Sequence, residues 1–225
     1  KDTLEKPQHF PPEASDRVLA EGYRYLLAHL NRAIEFEFRA DPLFPEFFRS
    51  MDMLRKWTGE NPDAMYLKAP IDGQGFYLVT GQAANTKEWK TSKRGVKGPK
   101  APRHVTFQTV TDVPGHTGEM AEMQQCKSQT LDFITGLNLL TDRKGRFELL
   151  IGPDRLPNYK GNFLLSRKLL ACPGNDTSAV KEAKWLAVRE IFSDWENEIP
   201  LELDIVRLDS VGLSKPPINI EQLTA

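Results

Sequence analysis

Short segments in which apolar and polar residues alternate fill most of the chain after its first quarter. In RFELLIG, Phe147, Leu149 and Ile151 alternate with charged residues, and LELDIVRLD repeats this pattern. A period of two is typical of a half-buried strand. Six further segments have high β propensity: AMYLKAP, GFYLVTG, RHVTFQTVT, LNLLT, NFLLSR and AKWLAVREIF. Asp72-Gly73 and the DRKG sequence at 142–145 mark tight turns. About eight short strands separated by turns predict a mainly β chain, folded as an antiparallel β-sandwich.

The N-terminal segment has helical periodicity instead. Ser15 and Asp16 can cap a helix whose apolar residues recur every three or four positions: Val18, Leu19, Tyr23, Leu26, Leu27, Leu30, Ala33 and Ile34. A second, shorter helix is predicted after Pro45, with Phe44, Phe47, Phe48, Met51 and Leu54 on one side and Gly59 at its end. The predicted organisation is therefore a tail and helical hairpin at 1–60, packed on a sandwich at 61–210, and a C-terminal tail at 211–225.

Composition excludes some classes of function. The chain has 30 basic and 31 acidic side chains, so its formal charge is −1 and no global field attracts nucleic acid. No run reaches the roughly 18 apolar residues of a transmembrane helix. The first residues lack the pattern of a signal peptide, which favours a cytoplasmic protein. Cys126 and Cys172 are the two cysteines, and either two separate thiols or one bridge is compatible with the sequence.

Four segments together resemble one bacterial protein family. They are NPDAMYLKAPIDGQGFYLVTG, DRKGRFELLIGP, GNFLL and WLAVREIFSDWENEIPLELDIVRLD, and their most specific residues are Asn61, Asp72-Gly73, Gly161-Asn162, Arg189 and Asp194-Trp195. The family is an uncharacterised domain of unknown function, often the C-terminal half of two-domain proteins. The resemblance implies a jelly-roll-like sandwich and no particular reaction. The chain departs from the family pattern after Gly81, where the basic loop is longer, and after Asn162, where extra residues precede AKWLAVREIF.

A polar ligand site is predicted around Asn162, Trp185, Arg189 and Asp194. Trp185 and Arg189 lie four positions apart on one strand and so share a face, where a ring beside a guanidinium suits a small polar or sugar-like ligand. The alternative is structural: Arg189 pairs with Asp194 or Glu190 to hold a turn. If these residues form a ligand site, the protein is a binding module.

A metal-assisted enzyme is the second hypothesis, with His104, His116 and Glu119 as ligands. Two histidines and a carboxylate are suitable ligand types, but their spacing matches neither HxH nor HExxH. A strand histidine beside a surface-loop histidine is the simpler interpretation. No GxSxG, Walker or GxGxxG motif occurs. The sequence therefore identifies no catalytic residue and no cofactor.

Two polar stretches are predicted to be loops, at 82–103 and at 113–129. The first carries seven basic residues, namely Lys87, Lys90, Lys93, Arg94, Lys97, Lys100 and Arg103, opposed by Glu88. Trp89 could stack on a base while the lysines contact phosphates, although such a loop is more often simply solvated. The third hypothesis is a protein-interaction or oligomerisation module, in which the helices and this basic loop contact a partner or a second copy of the chain.

Overall fold

The computed structural model describes residues 15–57, 59–91, 95–113, 128–171 and 178–217. Its helices are α1 (Asp16–Arg39) and the single turn α2 (Lys87–Lys90), followed near the C-terminus by a 3₁₀ turn at Leu208–Ser210. The strands are β1 (Phe48–Met51), β2 (Ala64–Pro70), β3 (Tyr77–Gln82), β4 (His104–Val110), β5 (Thr130–Thr135), β6 (Arg146–Gly152), β7 (Asn162–Leu165), β8 (Arg167–Ala171), β9 (Ser178–Glu182), β10 (Trp185–Ile191) and β11 (Glu202–Arg207).

Two sheets form the body of the molecule. Sheet A has the strand order β1-β2-β10-β4-β5 and is antiparallel throughout. Sheet B has the order β11-β3-β6-β7, in which β6 and β7 are parallel and the other pairs antiparallel. Strands β8 and β9 pair as a separate antiparallel ribbon. The prediction of a mainly β sandwich preceded by a helix is confirmed.

The core lies between the two sheets, because every second side chain of their strands points inward and most of these side chains are apolar. Phe107 and Val105 of β4 face Phe147 and Leu149 of β6, and the rings of Phe107 and Phe147 meet edge to face with centroids 5.7 Å apart. Residues between these positions point outward on each strand. Each sheet therefore has an inner apolar face and an outer face that is free to carry other residues.

Helix α1 forms as predicted, but it does not bury the predicted apolar stripe. The Ser15 hydroxyl accepts a hydrogen bond from the Val18 amide, 3.3 Å, which caps the helix. The residues that α1 buries are Ala28, Arg32 and Phe36. Leu27 and Leu30 are 64% and 56% exposed. The helix thus packs on sheet A with a different face from the one that the periodicity favours.

The predicted second helix is wrong, because that segment contains strand β1 at the edge of sheet A. Phe48 pairs in register with Lys68 of β2, and its ring packs edge to face on Phe36, with centroids 5.1 Å apart. Phe48 and Ser50 are buried while Arg49 between them is exposed, which is a strand pattern. Pairing with β2 has therefore overridden the helical spacing of the phenylalanines. In the described residues between 15 and 60, the structure has one helix plus an edge strand that belongs to the sandwich.

The predicted strand LNLLT is also wrong, since the fifth strand lies earlier, at Thr130–Thr135. The amides of Asn138 and Leu139 both donate to the Thr135 carbonyl and close a turn. The amide and carbonyl of Leu140 are bound by the side chain of Asn162. Because these backbone groups are bonded to a turn and to a side chain, they do not pair with a neighbouring strand. In the described part of the chain, no helix is long and apolar enough to span a membrane.

Candidate functional site

The structure separates the residues of the predicted polar site. Asn162 lies in sheet B, whereas Trp185 and Arg189 lie in sheet A. Trp185 and Arg189 do share the outer face of β10, but Trp185 is buried under α1, with its ring centroid 5.0 Å from that of Phe36. Arg189 remains exposed, with its guanidinium carbon 5.4 Å from the centroid of the Tyr66 ring. These residues do not converge on one pocket.

Asn162 has a structural role that uses its whole amide. Its Oδ1 accepts from the Leu140 amide at 2.7 Å, and its Nδ2 donates to the carbonyls of Leu140 at 2.9 Å and Glu148 at 2.8 Å. A buried amide group with all three of these bonds has little capacity left for a ligand. Asn162 therefore holds the segment before β6 against the parallel pair β6–β7.

Asp194 also serves a turn, although not through Arg189. Its carboxylate accepts from the amide and the side chain of Asn197, and Lys100 lies 3.7 Å away. These bonds, led by the Asn197 side chain, lower the pKa of Asp194. Glu190 faces the interior, and no described carboxylate forms a salt bridge with Arg189. The alternative interpretation of Arg189 as a turn-holding ion pair is therefore wrong too.

Of the three predicted metal ligands, His104 is the one that lies in the described part of the chain. His104 lies on β4, where its Nε2 is 2.9 Å from the Thr106 hydroxyl. Partial burial, and then the nearby charges of Arg189 and Arg103, lower its pKa. His116 and Glu119 lie outside the described residues, as do Cys126 and Cys172. Within the described ranges, no group of three or more His, Cys, Asp and Glu side chains could hold a metal ion.

The predicted basic loop is largely anchored to the sandwich. Trp89 is buried, and its indole Nε1 donates to the Pro102 carbonyl at 2.8 Å, so it cannot stack on a base. Lys90 donates to the carbonyls of Gly136, Leu137 and Leu139. Lys90 thus fastens the 82–103 segment to the turn after β5, whereas the Trp89 hydrogen bond joins two parts of the segment itself and the Trp89 ring packs against Gly136.

A cleft of about 770 Å³ lies on the outer face of sheet B. Its floor consists of outward residues from three adjacent strands, and the strand register arranges them in two rows. One row is Glu202, Gln82 and Arg146, and the next is Asp204, Thr80 and Glu148. Residues in register on neighbouring strands lie about 5 Å apart, so each row spans roughly 10 Å.

Tyr159 also lines the cleft. A Cβ at Gly161 would collide with the Tyr159 ring and hydroxyl, so glycine at this position allows the ring to approach the backbone. Partial burial raises the pKa of Tyr159, and the negative charge of Glu148 raises it further. The tyrosine therefore presents a ring and a protonated hydroxyl beside a carboxylate.

The charges of the cleft are mostly negative and mostly unused. Asp142, Glu148, Glu202 and Asp204 face a single cation, Arg146, which Asp142 binds at 2.7–2.8 Å. Besides the Tyr159 hydroxyl, five polar side chains of the cleft make no hydrogen bond or ion pair with any described residue: Thr80, Gln82, Glu148, Glu202 and Asp204. All five can accept hydrogen bonds from a ligand, and the three carboxylates repel an anion.

Comparison with known proteins supports the architecture. No protein-family model and no curated protein matches the chain. It is similar to the crystal structure of an uncharacterized protein from Burkholderia cenocepacia, with a TM-score of 0.67 and 23% sequence identity. The match covers 99% of this chain and 52% of the other, so the chain spans about half the length of that protein. This likeness shows the fold alone.

The sequence interpretation missed the sheet B cleft, although its residues carried a signal. Arg146 and Glu148 alternate with apolar residues on one strand, as Glu202 and Asp204 do on another. Each pair looks like an ordinary solvated strand face. Only the register with β3, which lies between β11 and β6, brings the two pairs into one cleft. That pairing is non-local and cannot be obtained from the periodicity of either strand.

Proposed function

We propose that the protein is a binding module whose jelly-roll-like sandwich holds a small sugar-like ligand in the sheet B cleft. The two rows of polar side chains across β11, β3 and β6 carry this proposal, because all of their members except Arg146 are unbonded. Ligand sites are concave and combine a few converging polar groups with apolar or aromatic surface. The cleft has these properties. On the face around Arg189, by contrast, the Trp185 ring is buried and a ligand cannot reach it.

The chemistry of the cleft favours a neutral polyhydroxylated ligand or one bearing an amine. Hydroxyl and ammonium groups donate hydrogen bonds, and the carboxylates of Glu148, Glu202 and Asp204 can only accept them. The Tyr159 ring offers an apolar surface to the C–H face of a sugar, with a polar hydroxyl at its tip. A phosphate or a carboxylate would meet the excess negative charge and bind poorly.

Titration calorimetry with neutral mono- and disaccharides and one amino sugar tests the proposal. Asp204→Asn should weaken binding of the best ligand by about tenfold or more, because a carboxylate acceptor is worth roughly 1.5–3 kcal/mol. Tyr159→Ala should weaken it comparably by removing the stacking surface. Asp154→Asn, which changes an exposed carboxylate outside the cleft, is the matched control and should bind normally. Equal affinity in all four proteins would overturn the proposal.

A second candidate function is self-association through α1. Leu27, Leu30, Ile34 and Phe38, here called the outer stripe, are each about half exposed or more and follow one another at helical spacing. Continuous apolar patches of this kind are uncommon on monomers. We propose that a second copy covers the outer stripe. A straight apolar stripe is self-complementary in an antiparallel two-fold pair, and a net charge of −1 produces little repulsion between copies.

Sedimentation analysis over a range of concentrations measures this association. The wild-type protein should form dimers that persist at high salt, because an apolar contact is not screened. Leu27→Glu combined with Leu30→Glu should give monomers with an intact fold. Leu169→Glu changes a side chain on β8 that is equally exposed, and it should leave the dimer unchanged. A wild-type protein that stays monomeric at every concentration would exclude this role.

A further inference from the structure

Two basic side chains lie between α1 and the outer face of sheet A. Phe36 of α1 packs on Phe48 and Trp185, which fixes the helix above this face. Lys68 of β2 lies in register with Phe48 on one side and Ala187 on the other, so it points to the same outer side as they do. Arg32 precedes Phe36 by one helical turn. The helix therefore places Arg32 close to the lysine of the underlying strand.

Arg32 is held in place from three directions and still has donors to spare. It is 4% exposed, and its guanidinium carbon lies 4.1 Å from the Phe36 ring centroid and 4.2 Å from that of Trp57. Its Nε donates to the Ser50 carbonyl at 3.2 Å. Its two Nη groups have no hydrogen-bond acceptor among the described residues. A rigid guanidinium with free Nη groups is suited to an anion.

Lys68 has no described partner either. It forms no hydrogen bond or ion pair within the described ranges, and burial, followed by the charge of Arg32, lowers its pKa to about 7. Asp112 is the acidic group that opposes this effect, but its carboxylate is already bound to Lys184 Nζ at 3.0 Å and to the Val113 amide at 2.7 Å. Arg32 is buried and Lys68 half-buried, and two neighbouring cations that form no ion pair with a described carboxylate repel each other, which is costly for the fold.

We infer that Arg32 and Lys68 together bind the anionic group of a second ligand, a carboxylate or a phosphate. The anion would accept from the Nη groups and the ammonium, and it would pair with two charges that form no ion pair with a described side chain. The Trp57 and Phe36 rings provide an aromatic wall beside it. This site differs from the sheet B cleft in location and in charge, so the two can succeed or fail independently.

Thermal unfolding at pH 6 and constant ionic strength tests the inference, with sodium phosphate and sodium benzoate each compared with sodium chloride. At this pH Lys68 carries its charge. A ligand that binds the folded state raises the Tm with its concentration, so phosphate, benzoate or both should raise it by several degrees above chloride. A response to phosphate alone assigns a phosphoryl group, and a response to benzoate alone assigns an aromatic carboxylate. Identical melting in all three salts would overturn the inference.

Substitutions show whether the anion that raises the Tm binds at Arg32 and Lys68. Lys68→Met keeps the aliphatic stem and should weaken the anion affinity about tenfold or more, the value of one charge-assisted hydrogen bond. Arg32→Lys keeps a positive charge but removes the Nη groups, and it should weaken the affinity as well. Lys144→Met changes an exposed lysine in the turn before β6 and should respond like the wild type. A full response in both Lys68→Met and Arg32→Lys would show that the anion binds elsewhere.

Discussion

Two buried glutamates near one end of the sandwich differ in how fully their carboxylates are hydrogen-bonded. The Glu198 carboxylate accepts hydrogen bonds from the amides of Ser193 and Arg103 and from the Ser193 hydroxyl. Glu190 is 0% exposed on the inner face of β10, and its Oε2 accepts from the Leu201 amide at 3.0 Å. Its Oε1 has no hydrogen-bond partner. Glu190 is therefore the less satisfied of the two acids.

The Glu190 carboxyl should make the stability of the protein depend on pH. Burial raises its pKa from 4.5 to about 7, against smaller opposing effects of the Leu201 amide and Arg49. The folded state thus favours the neutral acid. Its contribution is fully present below pH 4.5 and is lost as the pH rises through 7, by about 3 kcal/mol in total. Glu190→Gln removes this loss, so its free energy of unfolding should gain about 3 kcal/mol relative to the wild type between pH 4.5 and 7.

Urea unfolding at a series of pH values measures this difference. Val188→Ala is a suitable control, because it removes methyl groups from the same inner face without removing an ionisable group. It should lower the stability by a similar amount at every pH. Parallel stability curves for the wild type and Glu190→Gln would show that the buried carboxyl does not titrate in this range.

At the scale of elements, the sequence predicts whether a segment is a helix more reliably than it predicts which face of that helix is buried. The periodicity of α1 predicts a helix, and the Ser15 cap forms as expected. Its buried face is nevertheless the one carrying Ala28, Arg32 and Phe36, because that face meets the aromatic rings of Phe48 and Trp185. These partners come from distant strands. No local pattern in the helix identifies them.

The same limit explains the errors in the candidate site. Trp185 and Arg189 share a face, as alternation requires, but α1 covers one of them and leaves the other exposed. Asn162 is predicted to bind a ligand, whereas in the structure its side chain is bonded to backbone groups of Leu140 and Glu148. Residue type and spacing can therefore identify an unusual residue. Whether it binds a ligand or the chain itself depends on the tertiary contacts.

At the scale of the whole molecule, stability is unevenly distributed. Strand β10 lies inside sheet A, paired along its length with β2 and β4, and Leu186 and Val188 belong to the main core. Helix α1 buries only Ala28, Arg32 and Phe36 of its 24 residues, all in its second half. Local opening is easiest where few apolar contacts must be broken. In a single copy, the first three turns of α1 should therefore open without unfolding the sandwich.

Amide hydrogen exchange, measured at a concentration where the protein is monomeric, tests this distribution. Amides of 185–191 should exchange at the rate of global unfolding, and amides of 20–27 should exchange orders of magnitude faster, because their opening exposes little new apolar surface. At a high concentration the helix amides should become protected if a second copy covers the outer stripe, while those of β10 should not change. Strong protection of 20–27 in the monomer would mean that contacts within one chain hold the start of the helix.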